Sequence, residues 1–286
     1  PRLSGLSLPE AILEVNLWCA EEATYRSTDG RTASALQVFT RGFGRCGEES
    51  TFLVTALRSV GIAARQVYAP WWSHCDDNHA WVEAFDGQTW RYLGACEPEP
   101  VLDRGWFTHA SARAVMVHTR SFVQGSREET AFLFPDTDPM DLDCQEGVAV
   151  ENLTARYGTV KELSLHVVKE DGSPASEAWV SLSVMNMAAP REFARRRADV
   201  AGNVALRLGK GSVLVTVWME GEPDSLGETL LATEDREVTV VLDSLLSPSG
   251  EGDMLAPADA GLTVPALSPI QEEARRACLD HAAALR

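Results

Sequence analysis

The sequence predicts an α+β domain, in which N-terminal helices pack on an antiparallel sheet, followed by an all-β sandwich domain. Three observations support this order. Apolar residues recur at helical spacing over roughly the first 60 residues, the period changes to two from residue 64, and alternating runs between turn segments fill residues 150–243. A chain of 286 residues with 45% apolar residues is long enough to bury such cores.

Three helices are predicted before the first strand. Residues 8–23 form the first, a second includes residues 33–40, and a third starts near Cys46 and stops at Gly61. Acidic residues in the first turn of the third helix suit the positive end of a helix dipole. The apolar positions that define the first helix are Ile12, Leu13, Val15, Leu17 and Trp18.

Short alternating runs follow the third helix. Residues 64–70, 79–85 and 89–95 are predicted as strands, with a tight turn at Asp86 and Gly87 between the last two. Helices first and strands afterwards are typical of an α+β domain, which we place at residues 1–134.

The composition and the apolar pattern change after residue 134. Residues 135–149 are acidic and rich in turn residues, and are predicted as a linker. Residues 150–245 alternate through about seven strands at the spacing of a β-sandwich. Their turns, "DGSPASEAWVSL" and "DVAGNVALRLGKGS", resemble those of prealbumin-like or carboxypeptidase-regulatory-like accessory domains of bacterial enzymes. Residues 246–286 are predicted as a tether and a C-terminal helix whose packing partner lies outside this sequence.

Charge and composition restrict the partners. The net charge of −17, without clustered basic residues, argues against nucleic acid and anionic lipid. No segment has the length and apolar character of a membrane span, and six scattered cysteines do not form a disulfide framework, so reduced thiols and a cytoplasmic location are slightly favoured. The opening residues are typical of a piece of a longer chain, so further domains or an export signal could lie upstream.

Cys46 and His79 are the candidate chemical groups. Cys46 opens the third helix between Gly44 and Gly47, where the helix dipole would stabilise a thiolate and the glycines would let a substrate carbonyl approach. Its amide is a natural oxyanion donor. His79 begins the strand "HAWVEAF", which can run beside the start of a helix that packs on the sheet, and it is the expected base.

A family resemblance supports this pair. "FGRCGEESTFLVTALRSVGIAARQVYAP" followed by "DDNHAWVEAFDGQTWRYLGACEPEP" resembles the core of the transglutaminase-like superfamily, over roughly residues 10–120. The resemblance implies a papain-like fold with a Cys-His-Asp triad, in which Cys46 is the nucleophile and His79 the base. It implies amide chemistry on a peptide or protein substrate.

The third triad position departs from the family pattern. Where the family has an aspartate, this chain has Gly94, which can orient nothing. Glu97 is the nearest downstream carboxylate and is our candidate, because a turn could swing it back toward His79. Glu83 shares a strand face with His79, but four extended residues, roughly 13 Å, separate the two. Three outcomes stay open: Glu97 substitutes, a backbone carbonyl or water orients His79, or the site has lost activity and only binds.

Tryptophans are the candidate substrate wall. Trp71, Trp72 and Trp81 are predicted to bind substrate, since aromatic walls beside a Cys-His site hold acyl chains or amides. The segment "HCDDNH" at residues 74–79 is a single cluster, and zinc sites usually draw ligands from two places, so no metal and no cofactor are predicted. The loop "STDGRTAS" is either structural or a source of charge near the substrate.

These observations together predict a thiol-dependent acyl transfer at an amide or peptide bond, with hydrolysis favoured. Two alternatives remain. One is a protein-glutamine transglutaminase, which forms the same acyl-enzyme and uses an amine acceptor. The other is a catalytically inactive binding or scaffold module, which Gly94 would explain.

Overall fold

The computed structural model describes residues 2–28, 30–124, 132–145, 147–233, 236–243 and 264–284. The chain divides into two compact units. The first comprises residues 1–68, 79–108 and 263–286, and the second comprises residues 69–78 and 109–262. These units alternate along the sequence whereas the predicted domains are continuous, so the predicted domain bounds at 134 and 245 stay predictions.

The first unit contains the predicted helices and strands. Its elements before residue 100 are α1 (Leu8–Glu22), β1 (Thr24–Tyr25), α2 (Ala35–Arg41), β2 (Phe43–Gly44), α3 (Cys46–Ser59), β3 (Ala64–Ala69), β4 (His79–Phe85) and β5 (Trp90–Leu93). The predicted α+β class is confirmed, and the predicted elements lie within a few residues of the observed ones.

Local sequence signals explain where these helices begin and end. Ser7 and Glu10 form a capping box at the start of α1, and Ser34 and Gln37 form one at the start of α2. Gly42 ends α2 in the left-handed region, at φ 73°, which glycine adopts without steric cost. Each helix therefore begins and ends at residues suited to that position.

The sheet of the first unit supports α3. Strands β4 and β5 pair antiparallel, with Val82 opposite Leu93, and β3 lies on the other side of β4. The predicted turn is present, because Gly87 has φ 97° and the Asp86 carboxylate accepts the amide N–H groups of residues 88 and 89. Helix α3 packs on β4, and α1 packs on α3. The buried residues at these contacts include Ile12, Phe52, Leu53, Leu57, Val82 and Ala84.

A buried carboxylate joins the start of α3 to the loop before α2. Glu48 is fully buried and accepts hydrogen bonds from Ala33 N (2.7 Å), Thr28 Oγ1 (3.0 Å), Arg45 N (3.0 Å) and Arg41 Nη2 (2.9 Å). Burial by itself raises the pKa of a carboxyl group, but these donors outweigh it and hold the pKa of Glu48 below its ordinary value. The first turn of α3 is therefore fixed to two other segments by one side chain.

The second unit is rich in strands. Its elements are α4 (Thr108–Ser111, whose first residue belongs to the first unit), β6 (His118–Phe122), a 3₁₀ turn (Pro139–Asp141), β7 (Leu142–Gln145), β8 (Val148–Asn152), α5 (Thr154–Tyr157), β9 (Val160–Val168), β10 (Trp179–Asn186), β11 (Ala189–Arg197), β12 (Asn203–Gly209), β13 (Ser212–Met219), β14 (Glu222–Ala232) and β15 (Arg236–Val241). Strands β6, β8 and β7 pair antiparallel in that order.

Strands β9–β15 form the predicted β-sandwich. One sheet has the order β11-β10-β13-β14 and the other has the order β12-β9-β15. Alternate residues of both sheets share one buried cluster, which is the arrangement that a period-two pattern predicts. Its members include Leu163, Leu165, Val180, Leu182, Val204, Leu206, Val213, Val215 and Val240.

The segment predicted as a linker is instead structured where it is described. It contains the 3₁₀ turn, β7 and the start of β8. Leu142 and Ala149 are buried, and buried Asp143 pairs with Arg196 at 2.9 Å. Acidic residues in this segment therefore reflect specific ion pairs, which composition alone does not reveal.

The C-terminal helix α6 (Pro269–Ala284) has its packing partner within the chain, contrary to expectation. It packs on α1, where His281 lies 3.2 Å from Glu21, and Arg275 pairs at 2.9 Å with Glu99 of the segment after β5. The predicted tether lies largely outside the described residues. Among the helices that the structure describes, none has the length and apolar character needed to cross a bilayer.

Replacement of Glu48 by Gln tests whether its carboxylate anchors the first turn of α3. We expect the free energy of unfolding at pH 7 to fall by about 2–4 kcal/mol, because the charge-assisted hydrogen bonds are lost and Arg41 loses its partner. Chemical denaturation measures this difference. Because folding lowers the pKa of Glu48, the difference should shrink as the pH falls below about 4.5.

The matched control is Glu22→Gln at the exposed end of α1, which should change stability by no more than about 0.5 kcal/mol. Equal stability of the Glu48 and Glu22 variants would show that the carboxylate does not anchor α3.

Candidate functional site

Cys46 is the first residue of α3 and is half-buried. The two glycines beside it differ in role. A Cβ on Gly44 would meet Glu48 Cβ at 3.0 Å, so this glycine is needed for close packing of β2 on α3. A Cβ on Gly47 would meet only the Gln66 amide, at 4.0 Å, so the backbone on that face of Cys46 has room for an approaching group.

His79 is the first residue of β4 and is enclosed by aromatic rings. Its imidazole lies 4.6 Å from the Trp106 ring, 4.9 Å from Phe107 and 5.8 Å from Trp81, measured between ring centroids. Phe107 stacks on Trp81 at 4.9 Å, which completes the enclosure. Only 6% of His79 is exposed.

This enclosure decides the charge of His79. Burial away from water disfavours the imidazolium and lowers the pKa of His79 from 6.5 to about 4. At neutral pH the ring is therefore uncharged and has one nitrogen lone pair able to accept a proton.

Glu97 occupies the space above Gly94. A Cβ on residue 94 would lie 2.9 Å from Glu97 Cδ, and Oε2 is closer still. The Glu97 carboxylate therefore fills the place that a side chain at residue 94 would take. Gly94 and Glu97 are joined by a turn in which Glu97 N donates to Gly94 O at 3.4 Å.

The environment of Glu97 shifts its ionisation toward neutral pH. Burial raises the pKa of Glu97 from 4.5 to about 7, although a hydrogen bond from Trp106 Nε1 to Oε1 (2.9 Å) acts in the opposite direction. Trp106 is 62% exposed and contacts both His79 and Glu97. One indole ring therefore packs on His79 and donates a hydrogen bond to Glu97.

Two buried polar atoms in this cluster have no hydrogen-bond partner among the described residues. They are Nε2 of His79 and Oε2 of Glu97. Unsatisfied buried polar atoms are rare in folded proteins and recur at functional sites. These are the two groups that a His-carboxylate pair would join.

Asn16 holds the turn that carries Glu97. It lies on α1, is 1% exposed, and its Nδ2 donates to Gly94 O (2.9 Å) and Glu97 O (3.2 Å). Its Oδ1 accepts from Cys96 N at 2.9 Å. Sequence reasoning missed this residue, and its signal was a polar side chain on the apolar face of a predicted helix.

Glu83 is engaged elsewhere. It is 1% exposed and pairs with Arg65 at 2.8 Å, and the Arg65 guanidinium lies 4.3 Å from the Trp90 ring centroid. This pairing agrees with the sequence argument that Glu97 is the better candidate for the third position.

The predicted tryptophans have different surroundings. Trp81 is fully buried against His79 and Phe107, so it forms part of the buried wall around His79. Trp71 and Trp72 belong to the second unit, where Trp71 Nε1 donates to Glu192 O at 3.1 Å and Trp72 is 2% exposed. Their substrate role stays a prediction, and Trp106 is the exposed ring at His79.

The loop at residues 72–77 is held by Asn186 of the same unit. Its Nδ2 donates to the carbonyl oxygens of Trp72 (2.9 Å), Cys75 (2.9 Å) and Asp77 (3.0 Å). Asp76 accepts from Met187 N at 2.7 Å. Within the described residues, no three His, Cys, Asp or Glu side chains are grouped as metal ligands would be.

Comparison with known families finds a match in the N-terminal part of the chain. Residues 4–95, about a third of the chain, match the transglutaminase-like superfamily. The match includes Cys46, His79 and Gly94, and ends before Glu97. No curated protein gives a significant match.

Several solved structures are similar over about a third of the chain. A "Putative Cysteine Protease" from Cytophaga hutchinsonii is 23% identical, with a TM-score of 0.28, over 32% of this chain and 34% of that protein. The matched part thus spans about a third of the C. hutchinsonii protein. Transthyretin from Sparus aurata is 13% identical, with a TM-score of 0.23, over 29% of this chain and 90% of that one.

A Glu97→Gln variant tests the burial of this carboxylate. Folding raises the pKa of Glu97, so the stability contributed by the protonated group is present at low pH and is lost as the pH rises from about 4.5 to about 7. Gln cannot ionise. We expect the variant to gain about 1–3 kcal/mol of stability relative to wild type between pH 5 and pH 8, measured by denaturation.

A stability difference that does not vary with pH would mean that Glu97 is solvated. The control is Glu22→Gln, whose carboxylate is exposed on α1.

Proposed function

We propose that the first unit is a cysteine-dependent enzyme that hydrolyses an amide or peptide bond, with Cys46 as nucleophile, His79 as base and Glu97 as the group that orients His79. The observation that carries the proposal is the Glu97 carboxylate in the space above Gly94, where it accepts a hydrogen bond from the Trp106 ring that packs on buried, neutral His79. It supports a substitute for the missing aspartate from three residues further along the chain.

The reaction starts with a neutral imidazole at His79, which can accept the proton of the Cys46 thiol. The Cys46 sulfur attacks the amide carbon while its proton passes to His79, and the backbone N–H at the start of α3 stabilises the oxyanion. When the C–N bond breaks, His79 returns the proton to the leaving amine. Water then attacks the thioester while His79 accepts its proton, the C–S bond breaks, and His79 returns that proton to the Cys46 sulfur as the carboxylic acid is released.

Glu97 acts while His79 is charged. The imidazolium that forms during attack is unfavourable in free energy among buried aromatic rings. A nearby carboxylate offsets this unfavourable free energy. The pKa of Glu97, about 7, means that the required carboxylate forms near neutral pH. Asn16 and Trp106 act through Glu97, because one holds its turn and the other donates to its carboxylate.

A matched labelling experiment tests the proposal. A peptide-based chloroacetamide should label wild-type protein at pH 7.5, and Cys46→Ala should prevent that labelling, as read by mass spectrometry of the digested protein. Cys75 is the internal control, because it is exposed and lies in the other unit. Labelling of Cys75 or Cys19 at the rate of Cys46 would contradict the assignment.

Two further arms separate the alternatives. Glu97→Gln should slow the labelling of Cys46 at least about tenfold if the carboxylate orients His79, and an unchanged rate would retire that role and leave a backbone carbonyl or water to orient His79. Once a turned-over peptide is known, addition of a primary amine distinguishes hydrolysis from transglutamination by the mass of the product.

A further inference from the structure

A basic groove adjoins the segment that leads into Cys46. It has a volume of about 860 Å³ and lies between residues 26–28 and 31–33, α2 and Phe43. Its charged lining consists of Arg26, Arg31 and Arg41, accompanied by hydroxyl and amide side chains. Among the described residues that line it there is no carboxylate, in a chain whose net charge is −17.

The arginines of the groove differ in how their charge is balanced. The Phe43 ring lies against two guanidinium groups, that of Arg26 at 4.9 Å and that of Arg41 at 4.6 Å from its centroid. Arg41 is balanced by buried Glu48 at 2.9 Å. Arg26 is exposed and pairs with no described carboxylate, while contact with the ring restrains its side chain.

Hydrogen bonds tie this groove to the nucleophile. Arg26 N donates to Gly44 O at 2.8 Å, and the Arg45 guanidinium donates to Thr32 Oγ1 at 3.2 Å. Phe43 is three residues before Cys46, so their Cα atoms are at most about 11 Å apart. A bound peptide would cover that distance with about three extended residues.

We infer that this groove is a substrate subsite that binds an acidic side chain within three residues of the amide that Cys46 attacks. The inference rests on the proposed function and adds the substrate class to it, namely acidic peptides. A guanidinium presents a planar fork of N–H donors that matches a carboxylate, and a substrate carboxylate would supply the partner that Arg26 lacks among the described residues. Arg26, just before the "STDGRTAS" loop, and Arg31 within that loop thus provide positive charge that binds the substrate.

The test compares matched chloroacetamide peptides that differ only in Glu or Gln at one position, scanned over three residues on each side of the electrophile. The readout is the second-order rate constant for labelling of Cys46. Wild type should favour the Glu probe about tenfold at one position, and 0.5 M salt should reduce the preference because the groove is open to solvent.

Variants assign the preference to the groove. Arg26→Gln should bring the Glu/Gln ratio to about twofold or less, whereas Arg26→Lys, which keeps the charge, should retain part of it. Arg276→Gln on the exposed face of α6 is the control and should leave the ratio unchanged. Because the readout is a ratio within one protein, a general loss of reactivity does not imitate the effect.

Two contrary results are distinguishable. Equal rates for Glu and Gln probes at every position, or a preference that survives Arg26→Gln, would overturn the acidic subsite and leave the proposed function standing. Failure of every probe to label Cys46 would overturn the proposed function and this inference with it.

Discussion

The start of α3, where Cys46 lies, depends on the buried carboxylate of Glu48. Its four hydrogen bonds fix the loop before α2, the last turn of α2 and the backbone that enters α3. Cys46 lies two residues before Glu48, so the same bonds determine where its backbone points. The basic groove has the same origin, because Thr28, Ala33 and Arg41 belong to its lining.

Burial among aromatic rings determines the ionisation of His79 and Glu97. The rings around His79 keep water away and leave it neutral, and the same exclusion brings the ionisation of Glu97 close to neutral pH. His79 and Glu97 are both ionisable and buried, and each has a polar atom without a hydrogen-bond partner among the described residues. Their burial therefore lowers the free energy of unfolding. A site of this kind is typical of proteins that trade stability for activity.

Much of this arrangement can be predicted from the sequence. Helical spacing, capping residues and the change to period two predicted α1, α3 and β4, and the glycine-flanked Cys46 predicted the start of α3. Glu97 was predicted for the third position because a short turn after Gly94 can return a side chain, and its carboxylate lies in the space above Gly94. Asn16 was not predicted, since its three bonds go to residues about 80 positions away. Nor was strand β7, whose acidic residue pairs with an arginine on β11.

Which tryptophan is exposed at the site was likewise not predictable from the sequence. Trp71, Trp72, Trp81 and Trp106 look alike in sequence, but they differ in what covers them after folding. Trp106 is exposed over His79, whereas Trp81 and Trp72 are buried. Composition identifies aromatic residues near a site, but only packing decides which ring faces solvent.

The charge of His79 at neutral pH is the most direct test of this account. Its ring ¹⁵N chemical shifts can be followed from pH 3.5 to 8 in ¹⁵N-histidine-labelled protein, with the signal assigned by comparison with His79→Gln. The account predicts a neutral imidazole at pH 7 that titrates near pH 4. A ring that is charged at pH 7, or that titrates near 6.5 like a solvated histidine, would contradict it.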